Sequence, residues 1–331
     1  MPTVSRPYAL TFTRPLSDQD WAHALRVLRY IKAYHYVSEN GLPDTMRDII
    51  LACPPPSPLL PSLRILSFTF TEALSDESMI DLLASPTVHR LVLKDNATFT
   101  ADNVDHILQR CPHVKEIHLS SLSPTMPTTI LIQAFFDLRT LTRASLDLRL
   151  TDPYAMHVVV AALGLNRSLT SLTLYESSDA PPPSWILALR APGDLKASSA
   201  LLDGQPVFPA LRHLTFHRVL VPFACIFMNM WGGPRKIESF TFKDLRHTIP
   251  SGAMQCLIDH IGARCAPTTL KDLRIQLGLS KEWCIRACHI QPLAGHRALQ
   301  TLRIRATTHI GLGADEYRAL ECWWPDIAVL I

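Results

Sequence analysis

A short phrase that recurs along the chain constrains its fold more than any other sequence feature. Each copy has an apolar residue, two mostly polar ones, an apolar residue, one usually polar residue and a last apolar residue, as in Leu63, Leu66 and Phe68 of PSLRILSF. Nine copies and a truncated tenth start this pattern at positions 63, 88, 114, 141, 169, 211, 237, 270, 299 and 327. Self-similarity of this kind indicates a fold built from stacked units.

The spacing of the copies indicates the type of unit. Successive copies lie 25, 26, 27, 28, 42, 26, 33, 29 and 28 residues apart, and seven of the nine intervals are 25–29. This is the range of leucine-rich repeats. The interval of 42 holds one repeat and an insertion, which we place at about residues 180–208.

The phrase also predicts the secondary structure of each unit. Its last two apolar residues are two positions apart, so they point to the same face of a short strand. Helical patterns such as DESMIDLLA, ADNVDHILQRC and AMHVVVAALGL lie between the phrases. Since one strand and one helix cannot bury their apolar faces alone, neighbouring units share a core. The sequence therefore predicts an α/β leucine-rich-repeat solenoid, a horseshoe of about ten irregular repeats with parallel strands on its concave face and helices on its convex face.

The ends of such an array need caps that cover the exposed core. Ser17 is the expected N-cap of a helix over Asp18–Tyr34, whose apolar residues recur at helical spacing. With residues 44–52, this helix forms a predicted N-terminal helical cap over residues 1–60, and the repeat array occupies 61–331. We expect Trp323 and Trp324 to cover the last repeat.

Composition excludes several classes of function. The chain is 47% apolar and 18% charged, which is typical of a folded protein. A net charge of +3 is too small to indicate nucleic-acid binding by itself. The sequence has none of the motifs of serine hydrolases, zinc proteases, dinucleotide enzymes or P-loop proteins. We therefore predict that the chain is not an enzyme and carries no cofactor.

The cellular setting follows from cysteine usage and hydropathy. The N-terminus has no continuous apolar segment, and the longest apolar stretches, at Val158–Leu165 and Val219–Met230, are shorter than the ~18 residues that span a bilayer. The eight cysteines follow no paired framework and are read as mostly buried thiols in a reducing compartment. The expected location is the cytoplasm or the nucleus, without membrane association.

Two groups of residues have the types that ligate metals. The first is Cys284, Cys288 and His289, and the second is Cys256, His260 and Cys265. Zinc needs such ligands to converge as a tetrahedron, whereas a one-turn spacing beside apolar residues is typical of core cysteines. We predict packing roles and no metal, with a zinc site or a Cys–His pair near Asp259 and His260 as the alternatives.

The outward-facing strand residues form the candidate binding surface. In the second half of the array, two outward positions per strand carry four cationic residues and a histidine but no acid. With an aromatic neighbour, the predicted partner-binding residues are Tyr175, His217, Lys243, Arg274, Arg303 and Arg305. Such a patch suits an acidic protein segment or a phosphate, with nucleic acid not expected. The alternative is that these charges only keep an exposed sheet soluble.

The sequence also resembles a known family. The segments LSDQDW, YIKAYHY and PPPSPLLPSLRILSF, together with the closing WWPDIAVL, are similar to F-box/leucine-rich-repeat proteins of mushroom-forming fungi over nearly the whole chain. In that family an F-box binds the adaptor of an SCF ubiquitin ligase, and the repeats hold the substrate. Only twenty residues precede Trp21, too few for a three-helix F-box, although Leu42–Ile50 is similar to an F-box opening. The resemblance therefore implies a monomeric substrate-receptor module without a recognisable F-box, for which binding to the SCF adaptor is not expected.

Overall fold

The computed structural model describes residues 16–37, 52–54, 58–70, 77–95, 101–120, 128–147, 153–176, 207–249, 251–279, 285–306 and 311–330. They belong to two compact units, an N-terminal unit over Met1–Val114 and a C-terminal unit over Lys115–Ile331. Residues 44–51 of the predicted cap, the segment Leu42–Ile50 and most of the predicted insertion lie outside the described residues.

The N-terminal unit alternates helices with parallel strands. Its elements are α1 (Asp18–Leu28), β1 (Ala33–Val37), β2 (Ile65–Phe70), α2 (Glu77–Leu83), β3 (Arg90–Asp95) and α3 (Ala101–Arg110). Strand β2 pairs in parallel with β1 on one side and with β3 on the other.

The C-terminal unit continues the same alternation. It begins with β4 (Glu116–Ser120), α4 (Thr128–Asp137), β5 (Arg143–Asp147), α5 (Pro153–Gly164), β6 (Ser171–Tyr175), β7 (His213–His217) and α6 (Val221–Asn229). It ends with β8 (Ser239–Ile249), α7 (Ser251–Arg264), β9 (Asp272–Leu279), α8 (Ala287–Ile290), a 3₁₀ turn (Gln291–Leu293), β10 (Thr301–Ala306), α9 (Ala314–Trp323) and β11 (Val329–Leu330). Neighbouring strands are parallel and follow chain order. The chain is an α/β leucine-rich-repeat solenoid, which confirms the predicted fold class, and all nine full phrases form strands.

The apolar residues of the phrase form the core. Leu172 and Leu174 of β6 are fully buried, as are Phe240 and Phe242 of β8. Helices cover this side of the sheet: the ring of Phe227 in α6 packs edge-on against Phe216 of β7, with centroids 5.5 Å apart. Alternate strand residues therefore point into the core or away from the helices, as the period of a strand requires.

A tight turn precedes most of the strands. The backbone N–H of the first apolar residue of the phrase donates to the carbonyl three residues earlier, as from Leu299 to His296 at 3.0 Å. The residue that accepts this bond is half-buried before β1, where it is Leu28, and buried in eight other repeats: Leu60, Ser85, Cys111, Leu138, Asn166, Phe208, His296 and Trp324. In these eight repeats the buried residue leads into the next strand.

A second contact fixes the register of neighbouring strands. The carbonyl that follows the first apolar residue accepts hydrogen bonds from two successive N–H groups of the next repeat. The Lys271 carbonyl, for example, accepts from Gln300 N at 2.8 Å and Thr301 N at 2.9 Å. The same arrangement recurs at the carbonyls of Lys32, Arg64, Lys115, Thr142, Thr170, Arg212, Glu238 and Gln300.

The N-terminal segment differs from its prediction. Helix α1 ends at Leu28, and Ala33–Val37 forms β1, so a sheet strand lies within the segment predicted as a helical cap. Ile31, Tyr34 and Tyr36 have the spacing of the repeat phrase, but tyrosine was not counted among its apolar residues. Tyr36 is buried and packs edge-on against Phe68. The predicted N-cap is confirmed, since Asp20 N donates to Ser17 Oγ at 3.4 Å.

The C-terminal end is closed by a tryptophan. Trp324 is fully buried, and its Nε1 donates to the Leu293 carbonyl at 3.2 Å. Trp323 is only half-buried and packs edge-on against Trp324. Strand β11 then pairs with β10, with Leu330 opposite Leu302. Among the described residues, no helix is both long and apolar enough to cross a membrane.

A buried histidine makes the stability of the C-terminal unit dependent on pH. His296 occupies the buried position before β10, where its Nε2 lies 3.4 Å from the Gly262 carbonyl. Burial lowers the pKa of His296 below its usual 6.5, although the hydrogen bond to Gly262 opposes this shift. The unfolded chain therefore takes up this proton more readily than the folded one, so the free energy of unfolding falls as the pH drops below about 6.5.

We predict that His296→Leu removes this pH dependence, because leucine fills the corresponding position before β5. Urea unfolding at about pH 7.5 and about pH 5.5 should show a smaller loss of stability for the variant than for the natural chain. His113→Gln, at an exposed position, is the control and should keep the natural dependence. An equal loss in all three proteins would contradict the prediction.

Candidate functional site

The candidate site is the open face of the C-terminal unit, which we define as the side of strands β4 to β10 that points away from the helices. Residues on this face alternate with the buried core residues. In β6, Thr173 and Tyr175 are partly exposed between the buried Leu172 and Leu174. The same alternation occurs in β4 and β7, whereas Asp147, at an outward position of β5, is buried.

Strand register arranges the outward residues in three rows. The starting row contains Glu116, Arg143, Ser171, His213, Ser239, Asp272 and Thr301. The middle row contains His118, Ser145, Thr173, Thr215, Thr241, Arg274 and Arg303. The end row contains Asp147, Tyr175, His217, Lys243, Gln276 and Arg305. All six predicted binding residues thus lie in the middle and end rows of adjoining strands.

The positive charge is concentrated at β8 to β10. Lys243 is separated from Arg305 by Gln276 in the end row, and Arg303 is opposite Arg274 in the middle row. Arg274, Arg303 and Arg305 are exposed, and Lys243 is half-buried. In the part of the chain that the structure describes, we find no ion pair for Lys243, Arg303 or Arg305.

Arg274 differs from the other cations because it has an acidic partner. Its Nε lies 3.0 Å from Asp272 Oδ1 and its Nη2 lies 2.9 Å from Asp272 Oδ2, a two-point ion pair within β9. The sequence analysis predicted no acidic residue among the outward positions in the second half of the array, but it considered only two outward positions per strand. Asp272 occupies the third, in the starting row. Since Arg274 is compensated, the uncompensated charge lies at Lys243, Arg303 and Arg305.

The starting edge of the sheet has mixed charge. Glu238, just before β8, lies 3.7 Å from Arg212 and 3.9 Å from Lys271. Such solvent-exposed pairs contribute little to stability. They do reduce the positive potential at this edge, so the uncompensated cations of β8 to β10 lie in the middle and end rows.

Tyr175 is held in place by contacts within the sheet. Its ring is parallel to that of His118, with centroids 5.5 Å apart. Its hydroxyl lies 3.2 Å from His118 Nε2 and donates to the Leu119 carbonyl at 3.2 Å. Tyr175 therefore spans from β6 to β4 across the small Ser145 of β5. It offers a fixed ring surface to a partner, whereas its hydroxyl is already used.

The two groups of possible metal ligands differ in the structure: only the second brings ligand atoms together. Cys288 is exposed, His289 Nδ1 accepts from Arg286 N at 3.1 Å, and Cys284 lies outside the described residues. In the second group, Cys256 and His260 come together with Cys225, which the sequence analysis did not include. Cys265 is buried directly after the end of α7, where it bridges to Arg235, and burial raises its pKa to about 12.

The expectation that the cysteines are mostly buried holds only in part. Cys111, Cys225 and Cys265 are buried, whereas Cys256, Cys288 and Cys322 are exposed. Each of the exposed cysteines lies on a helix, at a position that points to solvent. Helical spacing beside apolar residues did not distinguish these outer positions from core positions.

No protein-family model matches the sequence, and no curated protein matches it significantly. Solved structures similar to the chain include the crystal structure of a TLR13–ssRNA13 complex, at 13% sequence identity and a TM-score of 0.43. The match covers 89% of this chain and 44% of that chain, so this chain spans less than half the length of that protein. The assignment to leucine-rich-repeat solenoids rests on the strands and helices of the chain itself.

We predict that Tyr175→Phe destabilises the C-terminal unit by about 1 kcal/mol, because the hydroxyl loses its bonds to His118 and Leu119. Chemical denaturation of the purified chain measures this difference. Tyr317→Phe, at an exposed site on α9, is the matched control and should change stability little. Equal effects of the two substitutions would contradict a bracing role for the Tyr175 hydroxyl.

Proposed function

We propose that this chain is a binding scaffold whose C-terminal unit holds an acidic segment of another protein against the open face of its sheet. The observation that carries the proposal is the group of uncompensated cations at Lys243 of β8 and at Arg303 and Arg305 of β10, with β9 between these two strands. No enzymatic step is part of the proposal, since the outward residues are binding groups and not a nucleophile with a base.

The geometry of the cations suits an extended acidic segment. Arg303 and Arg305 are alternate residues of one strand, so their Cα atoms lie about 6.7 Å apart. Acidic side chains at alternate positions of an extended peptide have the same spacing. Guanidinium groups bind carboxylates through two parallel hydrogen bonds, and the paired strands hold the two arginines at a fixed separation. Tyr175 and His217 extend this surface with aromatic rings.

Charge distribution favours a protein over a nucleic acid as the partner. A nucleic-acid site neutralises many phosphates, whereas the middle row continues from Arg274 into the neutral Thr241, Thr215 and Thr173. Binding of phosphorylated or nucleic-acid ligands by the same cations is the second candidate. The two candidates differ in salt dependence, which is steep for a polyanion with many phosphate contacts.

We predict that the triple variant Lys243→Glu, Arg303→Glu, Arg305→Glu binds a labelled polyglutamate peptide at least about tenfold more weakly than the natural chain, or about 1.4 kcal/mol. The physical reason is the loss of attraction and the new repulsion on the open face. Fluorescence anisotropy at several salt concentrations measures the affinity. The matched control reverses three exposed cations in turns and in α9, with Arg139→Glu, Arg297→Glu and Arg318→Glu.

The control variants distinguish binding at the open face from a general effect of the net charge of the chain. Equal weakening by the two triple variants would contradict the open face as the site. Asp272→Asn releases Arg274 from its ion pair and should tighten binding of the same peptide. Tighter binding of oligothymidylate than of polyglutamate, with a steep salt dependence, would favour the polyanion candidate instead.

The resemblance to F-box/leucine-rich-repeat proteins extends the proposal to the role of the bound protein. On that resemblance the partner is a substrate presented to a ubiquitin ligase, in the cytoplasm or the nucleus. Affinity purification of the tagged chain from its native cells, followed by mass spectrometry, tests this extension. Because no F-box is recognised in the sequence, co-purification of an SCF adaptor and a cullin would show that the chain reaches the ligase by another segment. Other specific partners without them would indicate a receptor that acts apart from the ligase, and neither result affects the peptide-binding measurement.

A further inference from the structure

Three possible metal-ligating side chains converge between helices α6 and α7. Cys225 is contributed by α6, while Cys256 and His260 are four residues apart on α7 and therefore lie on one face of that helix. Their ligand atoms all lie within 4.8 Å of one another. Cys225 is buried, His260 is half-buried and Cys256 is exposed, so the cluster is open to solvent on one side.

The distances within the cluster match a tetrahedral metal site. The Sγ atoms of Cys225 and Cys256 are 3.7 Å apart, and Cys256 Sγ lies 3.5 Å from His260 Nδ1. Around a zinc ion with Zn–S of about 2.3 Å and Zn–N of about 2.0–2.1 Å, tetrahedral angles separate two sulfurs by about 3.8 Å and a sulfur from a nitrogen by about 3.6 Å. The third edge, between Cys225 and His260, is at most 4.8 Å, so it has to shorten when a metal binds.

We propose that Cys225, Cys256 and His260 form a binding site for a thiophilic divalent cation, Zn²⁺, which joins α6 to α7. Three protein ligands leave a fourth position for water on the exposed side of the cluster. Binding is a proton exchange. The two thiols release their protons to solvent, the metal takes the place of the Nδ1 proton of His260, and that proton moves to Nε2.

The electrostatic environment supports a bound cation. Burial raises the pKa of the Cys225 thiol, and negative charge on Cys256 and Asp259 raises it further. Without a cation, the thiolate form of Cys225 is therefore unfavourable. A divalent cation reverses this balance, because it compensates two thiolates and is attracted by the nearby carboxylate.

A neighbouring hydrogen-bond chain selects the tautomer of the neutral His260 ring. Arg264 Nη2 donates to Asn229 Oδ1 at 3.0 Å, so the amide nitrogen of Asn229 faces His260 Nε2 at 3.3 Å. The proton of the neutral ring is thus on Nδ1, which lies 2.8 Å from the Cys256 carbonyl. When a metal binds at Nδ1, the ring proton has to be on Nε2. Asn229 can accept a hydrogen bond from this Nε2–H only after its side-chain amide rotates.

The cluster is separate from the proposed binding face. Helix α6 packs against the core side of the sheet through Phe227 and Phe216, whereas the open face points away from the helices. Loss of the metal site therefore leaves the charges of the open face unchanged. The two proposals can fail independently.

We predict that the reduced, desalted chain binds one equivalent of Zn²⁺ in competition with a coloured chelator. Co²⁺ in its place should give a thiolate charge-transfer band and the intense ligand-field bands of a tetrahedral site. Loss of a residue that only hydrogen-bonds to a metal ligand lowers metal affinity by about 10–100-fold. Cys256→Ser and His260→Ala remove a ligand itself, so each should lower the Zn²⁺ affinity by more than this. Cys322→Ser, at another exposed helix position, is the control and should keep the affinity.

A gain-of-affinity variant sharpens the test. Asn229→Asp still accepts from Arg264 and also accepts the Nε2 proton of a metal-bound His260, so we expect it to bind Zn²⁺ about tenfold more tightly. Circular dichroism checks that each variant is folded. Equal Zn²⁺ binding by Cys256→Ser and the natural chain would overturn the proposal. A reduced chain that binds no Zn²⁺, but forms a Cys225–Cys256 disulfide in air, would also overturn the proposal.

Discussion

The paired hydrogen bonds at the start of each strand are the contact on which the rest of the structure depends. One carbonyl binds two successive N–H groups of the next repeat, as Lys271 does with Gln300 and Thr301. This contact fixes strand register, and register decides which side chains enter the core, because a shift of one residue turns every side chain to the other face. Each repeat therefore derives its order from its neighbours in the solenoid.

The charge pattern of the open face is a consequence of the same register. It brings Lys243 to within two strands of Arg303 and Arg305, although the first is about 60 residues from the others in the chain. It also decides which charges cancel, since Asp272 reaches Arg274 from two positions away on the same strand. The basic character of the face is thus narrower than a count of its arginines and lysines indicates.

The repeat phrase predicted the nine strands because apolar alternation is a local property of the sequence. Strand β1 was missed because Tyr34 and Tyr36 take the places of leucines. The pairing of Arg274 with Asp272 was missed because a third outward row was not considered. The sequence did not predict that Cys225 lies close to Cys256 and His260. Their proximity depends on which faces α6 and α7 turn towards each other, and the two helices are separate segments of the chain.

The contacts that set the register have one further consequence. They join main-chain atoms, and the hydroxyls of Thr142 and Thr170 add a side-chain bond at two of these carbonyls. The outward side chains of Thr215, Thr241 and Arg303 take no part in them. The atoms that hold the strands in register are therefore different from the atoms that the sheet presents on its open face. An outward side chain can be replaced without moving the strand that carries it.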